Sequence, residues 1–375
     1  MISPGRPKGL PPETCTVFEM LQDSGYTTGM SGKWHIGGAN GCDALLRRFG
    51  MEYFEDYGLD WVGPGLPNRN DNQVSAITDD MLGLMEENRD SPFIAYLAHR
   101  SPHTRFDVPE SAIENAVQRG FKRSSDSDGV FGERVAAEYV AMVECLDESV
   151  GRILAKLDEL NLTHNTLVLF LSDNGGLTRV WRNDPLRGGK GQLNEGGIRV
   201  PFIVRWPAQV DAAISCETPV HVVDLFPTLM EIAGGSVHSE QILDGVSIAP
   251  LLRNDGAIPS RSIYSHHPEY VVAFSKTPSS MNRKGDFKLV YYFDYYLDSE
   301  GCEPKAHTLS GRFVLGPRTE LYDLSSDLGE SHDLSKQMPE KAQELMTDLE
   351  DWWNETGAKI PSPNLDMDRS QWIWN

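Results

Sequence analysis

Short apolar runs alternate with amphipathic segments through residues 1–255 of the chain. Three compact runs, at 93–98, 166–172 and 200–206, have the length and composition typical of strands buried on both faces. Apolar residues spaced three or four apart predict helices at 13–24, 77–88, 133–160 and 222–234. Because strands alternate with helices, we expect an α/β domain with a mixed, largely parallel sheet flanked by helices.

The pattern changes after residue 255. Short runs rich in aromatic and β-branched residues follow at 262–267, 270–274, 286–296 and 320–324. These runs predict a smaller antiparallel sheet, and helical spacing predicts one closing helix from Pro339 to Thr356. We therefore expect a larger domain at 1–255 and a C-terminal α+β subdomain at 256–375.

Two polar motifs follow predicted strands in the first part of the chain. GKWHIGG puts Lys33 and His35 on a glycine-rich turn directly after a short run of strand-forming residues. A lysine supplies a positive charge and a histidine donates or accepts a proton, so the pair suits chemistry on an anion. SPHT, after the run at 93–98, adds His103. Each motif also fits an ordinary polar turn.

Two further motifs lie between the run at 166–172 and the run at 200–206. SDNGG supplies the carboxylate of Asp173 and the amide oxygen of Asn174, which are hard ligands suited to Ca²⁺ or Mg²⁺. The same letters fit a turn or a helix cap. PLRGGKGQLNEGGIRVP places Arg187 and Lys190 among glycines, as in a cationic loop that binds an anion, although a solvated glycine loop has the same composition. Its spacing is not that of a P-loop.

Composition narrows the class of partner. A formal net charge of −21 argues against nucleic acid as the main partner, while a local cationic pocket still suits a small anion. None of the five cysteines forms a CxxC pair, and their odd count does not suggest a disulfide framework. The sequence shows no signal-peptide pattern and no apolar stretch of membrane-spanning length. The compartment and the oligomeric state stay unknown from these observations.

Taken together, the motifs resemble those of a known family. GKWHIG, PHT, SDNGG and GGKGQLNEGGIRVPFIVRWP resemble, in order and interval, the successive signatures of type I sulfatases in the alkaline phosphatase superfamily. AMVECLDESVGRIL, DLFPTLMEIAG and ELYDLSSDLGESHDL extend the match from about Leu10 to Pro363. The resemblance implies an alkaline-phosphatase-like fold with 1–255 as the catalytic domain. It also implies hydrolysis of carbohydrate or aryl sulfate esters and favours a periplasmic or extracellular location.

The resemblance also implies roles for the residues that would bind sulfate and transfer protons. Lys33 and Lys190 would bind the sulfate oxygens, and His103 would contact sulfate and protonate the leaving alcohol oxygen. His35 would take a proton from the nucleophile when sulfate is expelled. Arg105 stands where the family usually has a proline after HT, which we expect to change the shape of the loop.

Metal and substrate ligands follow from the resemblance in the same way. Asp173 and Asn174 would be two of the ligands of a Ca²⁺ ion. Arg187 would help to bind the sulfated substrate, and His266 falls where related bacterial members often have a histidine near the substrate.

One family feature has no counterpart in these 375 residues. Sulfatases open with a strand that ends in paired aspartates, followed by C/S-x-P-S/A-R, whose Cys or Ser becomes the formylglycine nucleophile. Neither pattern occurs here, and the contexts of Cys15 and Cys42 do not match. The sequence therefore resembles a sulfatase lacking its N-terminal segment, with an incomplete domain at 1–255 and an incomplete Ca²⁺ ligand set. We expect this chain to be inactive or impaired as it is written.

Two alternatives remain open at this point. The chain could be a non-catalytic pseudoenzyme that binds sulfated glycans, or a phosphodiester or phosphonate hydrolase of the same superfamily. The leading hypothesis is a sulfuric ester hydrolase by family, with a small-molecule or glycan sulfate ester as its partner.

Overall fold

The structure is a computed structural model, and the residues that it describes form several stretches. They are 15–33, 53–55, 74–103, 106–123, 136–178, 180, 182–269, 277–293, 296–297, 313–314 and 317–361. Three of these stretches are described by their backbone alone, namely 53–55, 296–297 and 313–314. The strand predicted at 270–274 lies outside the described residues.

A parallel three-stranded sheet opens the fold. Its elements, in chain order, are helix α1 (Val17–Asp23), strands β1 (Thr27–Gly32) and β2 (Tyr53–Glu55), helix α2 (Val74–Glu87) and strand β3 (Phe93–Ala98). The strand order is β2-β1-β3, with Gly32 opposite Ala98 at the carboxyl ends of β1 and β3. Helix α1 begins where the Thr16 side chain accepts a bond from the Glu19 amide and the Glu19 side chain accepts one in return.

A second set of elements carries an antiparallel pair of strands. It comprises helices α3 (Glu110–Gln118) and α4 (Ala137–Glu159), strand β4 (Val168–Leu171), the short helix α5 (Glu195–Ile198), strand β5 (Phe202–Arg205), and helices α6 (Leu225–Ala233) and α7 (Ala249–Leu252). Helix α6 ends at Gly234, whose φ of +69° is left-handed and favours glycine. The predicted helices therefore form close to their expected bounds, and α3, α5 and α7 are additions.

The strands β4 and β5 differ from the sequence-based expectation in direction and in burial. They run antiparallel, with Val168 opposite Arg205, in a sheet of two strands. The runs that form β3, β4 and β5 were all expected to be buried on both faces, and this was wrong, because the three strands are half-buried, with Tyr96 48% and Ile203 60% exposed. Two paired strands give each one an edge, which leaves part of each strand open to solvent.

The C-terminal part is an antiparallel sheet covered by one helix. Its four main strands, β6 (Ser262–His267), β7 (Ser279–Lys284), β8 (Phe287–Tyr292) and β11 (Arg318–Asp323), have the order β11-β8-β7-β6. Two short strands, β9 (Tyr296–Leu297) and β10 (Phe313–Val314), pair separately. Helix α8 (Pro339–Thr356) has the predicted bounds and ends before Gly357. Strand β7 was not predicted, and the proposed division at 255/256 stays a prediction.

The two faces of this sheet contact different partners. On one face, Leu289 and Leu321 pack against Leu345 and Leu349 of α8, and all four side chains are fully buried. On the other face, Met281, Val290 and Tyr292 of the sheet form a cluster with Leu193 and Ile198 of the segment before β5. The C-terminal sheet therefore lies directly behind the glycine-rich loop that carries Lys190. Within the described residues, no helix has both the length and the apolar character needed to span a bilayer.

Candidate active site

Lys33 lies at the carboxyl end of β1, next to the end of β3. Its amide donates a hydrogen bond to the Ala98 carbonyl, at 2.7 Å between N and O. The preceding Gly32 has a φ of +111°, and a Cβ there would lie 2.2 Å from the same carbonyl oxygen. Only glycine permits this turn, so the sequence fixes how Lys33 leaves the sheet. His35 lies outside the described residues.

His103 belongs to the turn that follows β3. Its side chain is exposed, and its amide donates to the Arg100 carbonyl at 2.8 Å. The histidine nearer the strand, His99, has an Nε2 that lies 3.0 Å from the Ser149 hydroxyl of α4, which suits a structural role. The structure thus puts His103 at the same carboxyl edge as Lys33.

Asp173 and Asn174 follow β4 directly. The Ser172 hydroxyl donates to the Asn174 carbonyl at 2.8 Å, and the Asn174 amide nitrogen donates to the Gly175 carbonyl at 3.0 Å. The Asp173 carboxylate is exposed and accepts no hydrogen bond from the described residues. These bonds shape the turn and leave the carboxylate open to a ligand.

The loop that carries Lys190 folds onto this turn. The Gly176 carbonyl accepts bonds from the Lys190 amide and from the Asn183 side chain, both at 3.0 Å. The Gly175 amide donates to the Gly197 carbonyl at 2.9 Å. The contact is so close that a Cβ on Gly175 would lie 1.8 Å from the next carbonyl, that of Gly196. The glycines that suggested a flexible loop therefore permit close packing, and sequence reasoning had missed Asn183.

Electrostatics links three of the predicted residues. The pKa of Lys190 is lowered, first by burial and then by the charge of Lys33, while Asp173 opposes the shift. Desolvation and the Asp173 carboxylate raise the pKa of the Tyr96 hydroxyl on β3. Lys33 and Asp173 follow strands β1 and β4, and Lys190 lies in the loop between β4 and β5, where the charges of both other residues act on its ammonium group.

Arg187 is held by the C-terminal sheet. Its Nη1 donates to the Tyr322 hydroxyl at 2.6 Å and to the Glu330 carbonyl at 3.1 Å. The guanidinium lies 5.7 Å from the centre of the Tyr322 ring and 3.6 Å from Glu320. Burial lowers the pKa of Arg187, but two tyrosines and two glutamates outweigh it and raise this pKa above its ordinary value; they are Tyr292, Tyr322, Glu320 and Glu330. This geometry gives Arg187 a structural contact, and its expected substrate contact stays a prediction.

His266 is also engaged inside the C-terminal part. Its Nδ1 lies 2.6 Å from the Ser280 hydroxyl and its Nε2 lies 3.1 Å from the Lys359 carbonyl. The ring packs edge-on against Phe293, with centroids 5.7 Å apart. Both ring nitrogens therefore have protein partners in the structure, and a substrate contact by His266 stays a prediction.

The chemistry of a metal site is present only in part. The Asp173 carboxylate and the Asn174 amide oxygen suit Ca²⁺, which takes roughly six to eight oxygen ligands. In the stretches that the structure describes, no group of three or more His, Cys, Asp or Glu residues could hold a metal. The two donors fit Ca²⁺ in kind but do not make a complete site.

Comparison with known protein families agrees with these motifs. A family model described as Sulfatase matches residues 2–236, and a second, described as N-sulphoglucosamine sulphohydrolase, C-terminal, matches residues 189–303. A protein named Sulfatase from Formosa agariphila is 30% identical over 354 residues, covering 86% of this chain and 59% of the relative. Arylsulfatase A from Homo sapiens is 28% identical over 379 residues, covering 89% of this chain and 69% of the relative. The chain thus spans about three fifths of the length of the Formosa protein.

Solved structures share the fold. Ps i-CgsB in complex with k-i-k-neocarrahexaose superposes with a TM-score of 0.75 at 22% identity, covering 96% of this chain and 79% of that one. BT4656, in complex with its substrate D-glucosamine-2-N,6-O-disulfate, gives a TM-score of 0.70 at 18% identity, covering 94% and 84%. These matches confirm the α/β, alkaline-phosphatase-like fold. Because the Sulfatase model covers more than half of the sequence, the chain belongs to the sulfatase family.

Proposed function

We propose that the protein binds the sulfate group of a sulfated carbohydrate at the strand-end site of Lys33 and Lys190, as the first step of sulfate ester hydrolysis. The observation that carries this proposal is that the Lys190 amide bonds to the Gly176 carbonyl beside the Asp173 turn, which leaves the Lys190 side chain half-buried near the charges of Asp173 and Lys33. Two cations that repel each other at short range are stabilised when an anion lies between them. The site is therefore best matched by a compact anion.

Sulfate fits such a site for two reasons. It offers several oxygen acceptors, and a charge-assisted hydrogen bond contributes about 1.5–3 kcal/mol, roughly twice a neutral one. Partial burial of Lys190 strengthens its attraction to an anion, since the local dielectric constant is lower than that of water.

Carbohydrate sulfates are the proposed substrate class. BT4656 is a structural neighbour whose named substrate is a sulfated glucosamine, and Ps i-CgsB was solved with a neocarrahexaose. The second family match is named for the C-terminal part of an N-sulphoglucosamine sulphohydrolase. Aryl sulfates stay useful probes because relatives include arylsulfatases.

Hydrolysis is tested separately from binding. In the proposed reaction, His103 protonates the leaving oxygen and His35 acts beside the nucleophile. Sulfated-glycan binding without turnover is a second candidate, because the half-buried Lys190 beside the charge of Lys33 suits a sulfate group whether or not its ester bond is then cleaved. The test is release of a chromogenic phenol from an aryl sulfate by the purified protein. Release that disappears in Lys190→Ala supports hydrolysis, whereas sulfate binding without release supports the second candidate.

We further propose that Asp173 and Asn174 contribute to a Ca²⁺ site. The test is the direction in which Asp173→Asn changes the affinity for sulfate, with and without Ca²⁺. With a chelator present, Asp173→Asn removes a negative charge beside Lys190 and tightens sulfate binding. With Ca²⁺ present, the same variant loses a metal ligand and binds sulfate more weakly than the wild type. Tighter sulfate binding by the variant under both conditions would contradict a metal role.

A further inference from the structure

The Lys190 loop is tied to the C-terminal sheet on both sides of Lys190. Three residues before it, Arg187 bonds to Tyr322 and to the backbone of Glu330. Five residues after it, the Glu195 amide donates to the Glu330 carboxylate at 2.7 Å. The short segment that presents Lys190 is therefore held at its two ends by the same sheet and its following turn.

The second anchor contains a buried group of three charges. The Lys288 ammonium on β8 lies 2.9 Å from a Glu195 oxygen and 2.9 Å from a Glu330 oxygen. None of these three side chains is more than 1% exposed. A buried ion group of this kind loses several kcal/mol when one partner is removed, because charge is left without compensation.

Other contacts fix the direction of Glu195. Arg199 and Arg283 reach its second oxygen at 3.6 and 3.7 Å. Leu193, two residues before Glu195, packs against Val290 in the cluster behind the loop. Glu195, through its polar contacts, and Leu193, through its apolar contacts, thus hold the same side of the loop against the sheet.

The glycines explain why these anchors are needed. Gly188 and Gly191, on either side of Lys190, have φ values of +73° and +87°, which few other residues adopt. Such a segment has a large conformational entropy when it is not held. A defined position for Lys190 must come from contacts beyond the segment itself.

We propose that Lys288 is a positioning residue for Lys190, so that the C-terminal sheet forms part of the sulfate site without touching sulfate. Lys288 holds Glu195 and Glu330, these hold the loop, and the loop sets the distance of Lys190 from Lys33. The inference rests on the proposed function for its effect on sulfate, but its effect on the loop can be measured without any ligand.

The test compares Lys288→Met with Lys288→Arg and with a matched control. Methionine keeps the length and removes the charge, and arginine restores the charge. Lys284→Met is the control, because Lys284 lies on the same sheet but pairs with Asp348 of α8, at 2.8 Å, on the other face.

The first readout is hydrogen exchange of the amides of Gly175, Lys190 and Gly196, which bond within the site. In Lys288→Met we expect these amides to exchange about tenfold faster or more than in Lys284→Met. The second readout is the dissociation constant of inorganic sulfate, which we expect to rise about tenfold or more in Lys288→Met. Lys288→Arg recovers part of both effects.

Wild-type exchange and wild-type sulfate affinity in folded Lys288→Met would overturn the proposal. If this variant does not fold, Glu330→Gln replaces it, since it keeps the size of the side chain and removes the charge that pairs with Lys288. Faster exchange at Lys190 and Gly196 in Glu330→Gln supports the proposal, and unchanged exchange contradicts it. If the wild type binds no sulfate, the proposed function fails, while the exchange readout still decides the role of Lys288.

Discussion

The charge of Lys288 makes a quantitative prediction about stability. In Lys288→Met, Glu195 keeps Arg199 and Arg283 within 3.7 Å, but the fully buried Glu330 carboxylate loses the ammonium at 2.9 Å. Removing one partner from a buried ion group costs about 3–5 kcal/mol. We therefore expect the free energy of unfolding to fall by this amount, measured by urea denaturation as a lower midpoint with an unchanged slope.

A second substitution separates charge from packing. In Lys288→Met with Glu330→Gln, one uncompensated charge disappears, and we expect about 1–3 kcal/mol of the loss to return. A loss below about 1 kcal/mol in the single variant would refute the charge argument. The charge argument would also be refuted if Lys288→Met with Glu330→Gln were less stable than Lys288→Met alone.

The same group gives a pH dependence. Burial opposes ionisation of Glu195, but Lys288 and the nearby arginines prevail and lower its pKa from 4.5. A lowered carboxyl pKa contributes stability above about pH 4.5 that is lost as the pH falls through the folded-state value. Lys288→Met removes much of this contribution, so the difference in stability between the wild type and the variant should narrow in acid. A constant difference from pH 7 to pH 3 would contradict this.

Two further predictions concern the loop and its lysine. Gly175→Ala should prevent the turn from closing on the loop, because its Cβ would lie 1.8 Å from the Gly196 carbonyl oxygen. Gly151→Ala is the control: a Cβ at this position in α4 has nothing within 4 Å, so this variant should stabilise the folded protein by about 0.5–1 kcal/mol. Thermal unfolding of both variants measures the contrast. In the wild type, stability should rise with pH between the lowered pKa of Lys190 and 10.5, because the unfolded chain binds more protons there. Lys190→Met should therefore exceed the wild type in stability most at neutral pH, and an advantage that grows toward pH 10.5 would contradict the assigned direction.

Much of the candidate site could be predicted from the sequence because it uses strand ends. Lys33, His103 and Asp173 each follow a run of residues that predicts a strand, and loops after strands of an α/β unit meet at one edge of the fold. The closing helix could also be predicted to its bounds, because Pro339 suits a first helical turn and Gly357 suits the residue after the last. Local chemistry marks these features, so one sequence is enough to find them.

Other features depend on contacts that no local pattern records. Hydrophobic runs say nothing about strand direction, so the antiparallel pairing of β4 with β5 was not foreseen. Strand β7 was missed because polar residues fill it; Asn282, for example, is buried and bonds to the Leu345 carbonyl of α8. Arg187 was expected to face an anion, yet it turns to Tyr322, since a loop sequence does not say which side its residues face.

The measurement that tests the central claim most directly is calorimetric titration with D-glucosamine-2-N,6-O-disulfate, using unsulfated glucosamine as the ligand control. We expect sulfate-dependent binding that weakens about 10–150-fold in Lys190→Met and in Lys33→Met, which corresponds to about 1.5–3 kcal/mol per lost charge-assisted bond. Lys284→Met should bind like the wild type, because this lysine pairs with Asp348 away from the site. Equal affinity of the wild type and Lys190→Met for the sulfated sugar would contradict the account.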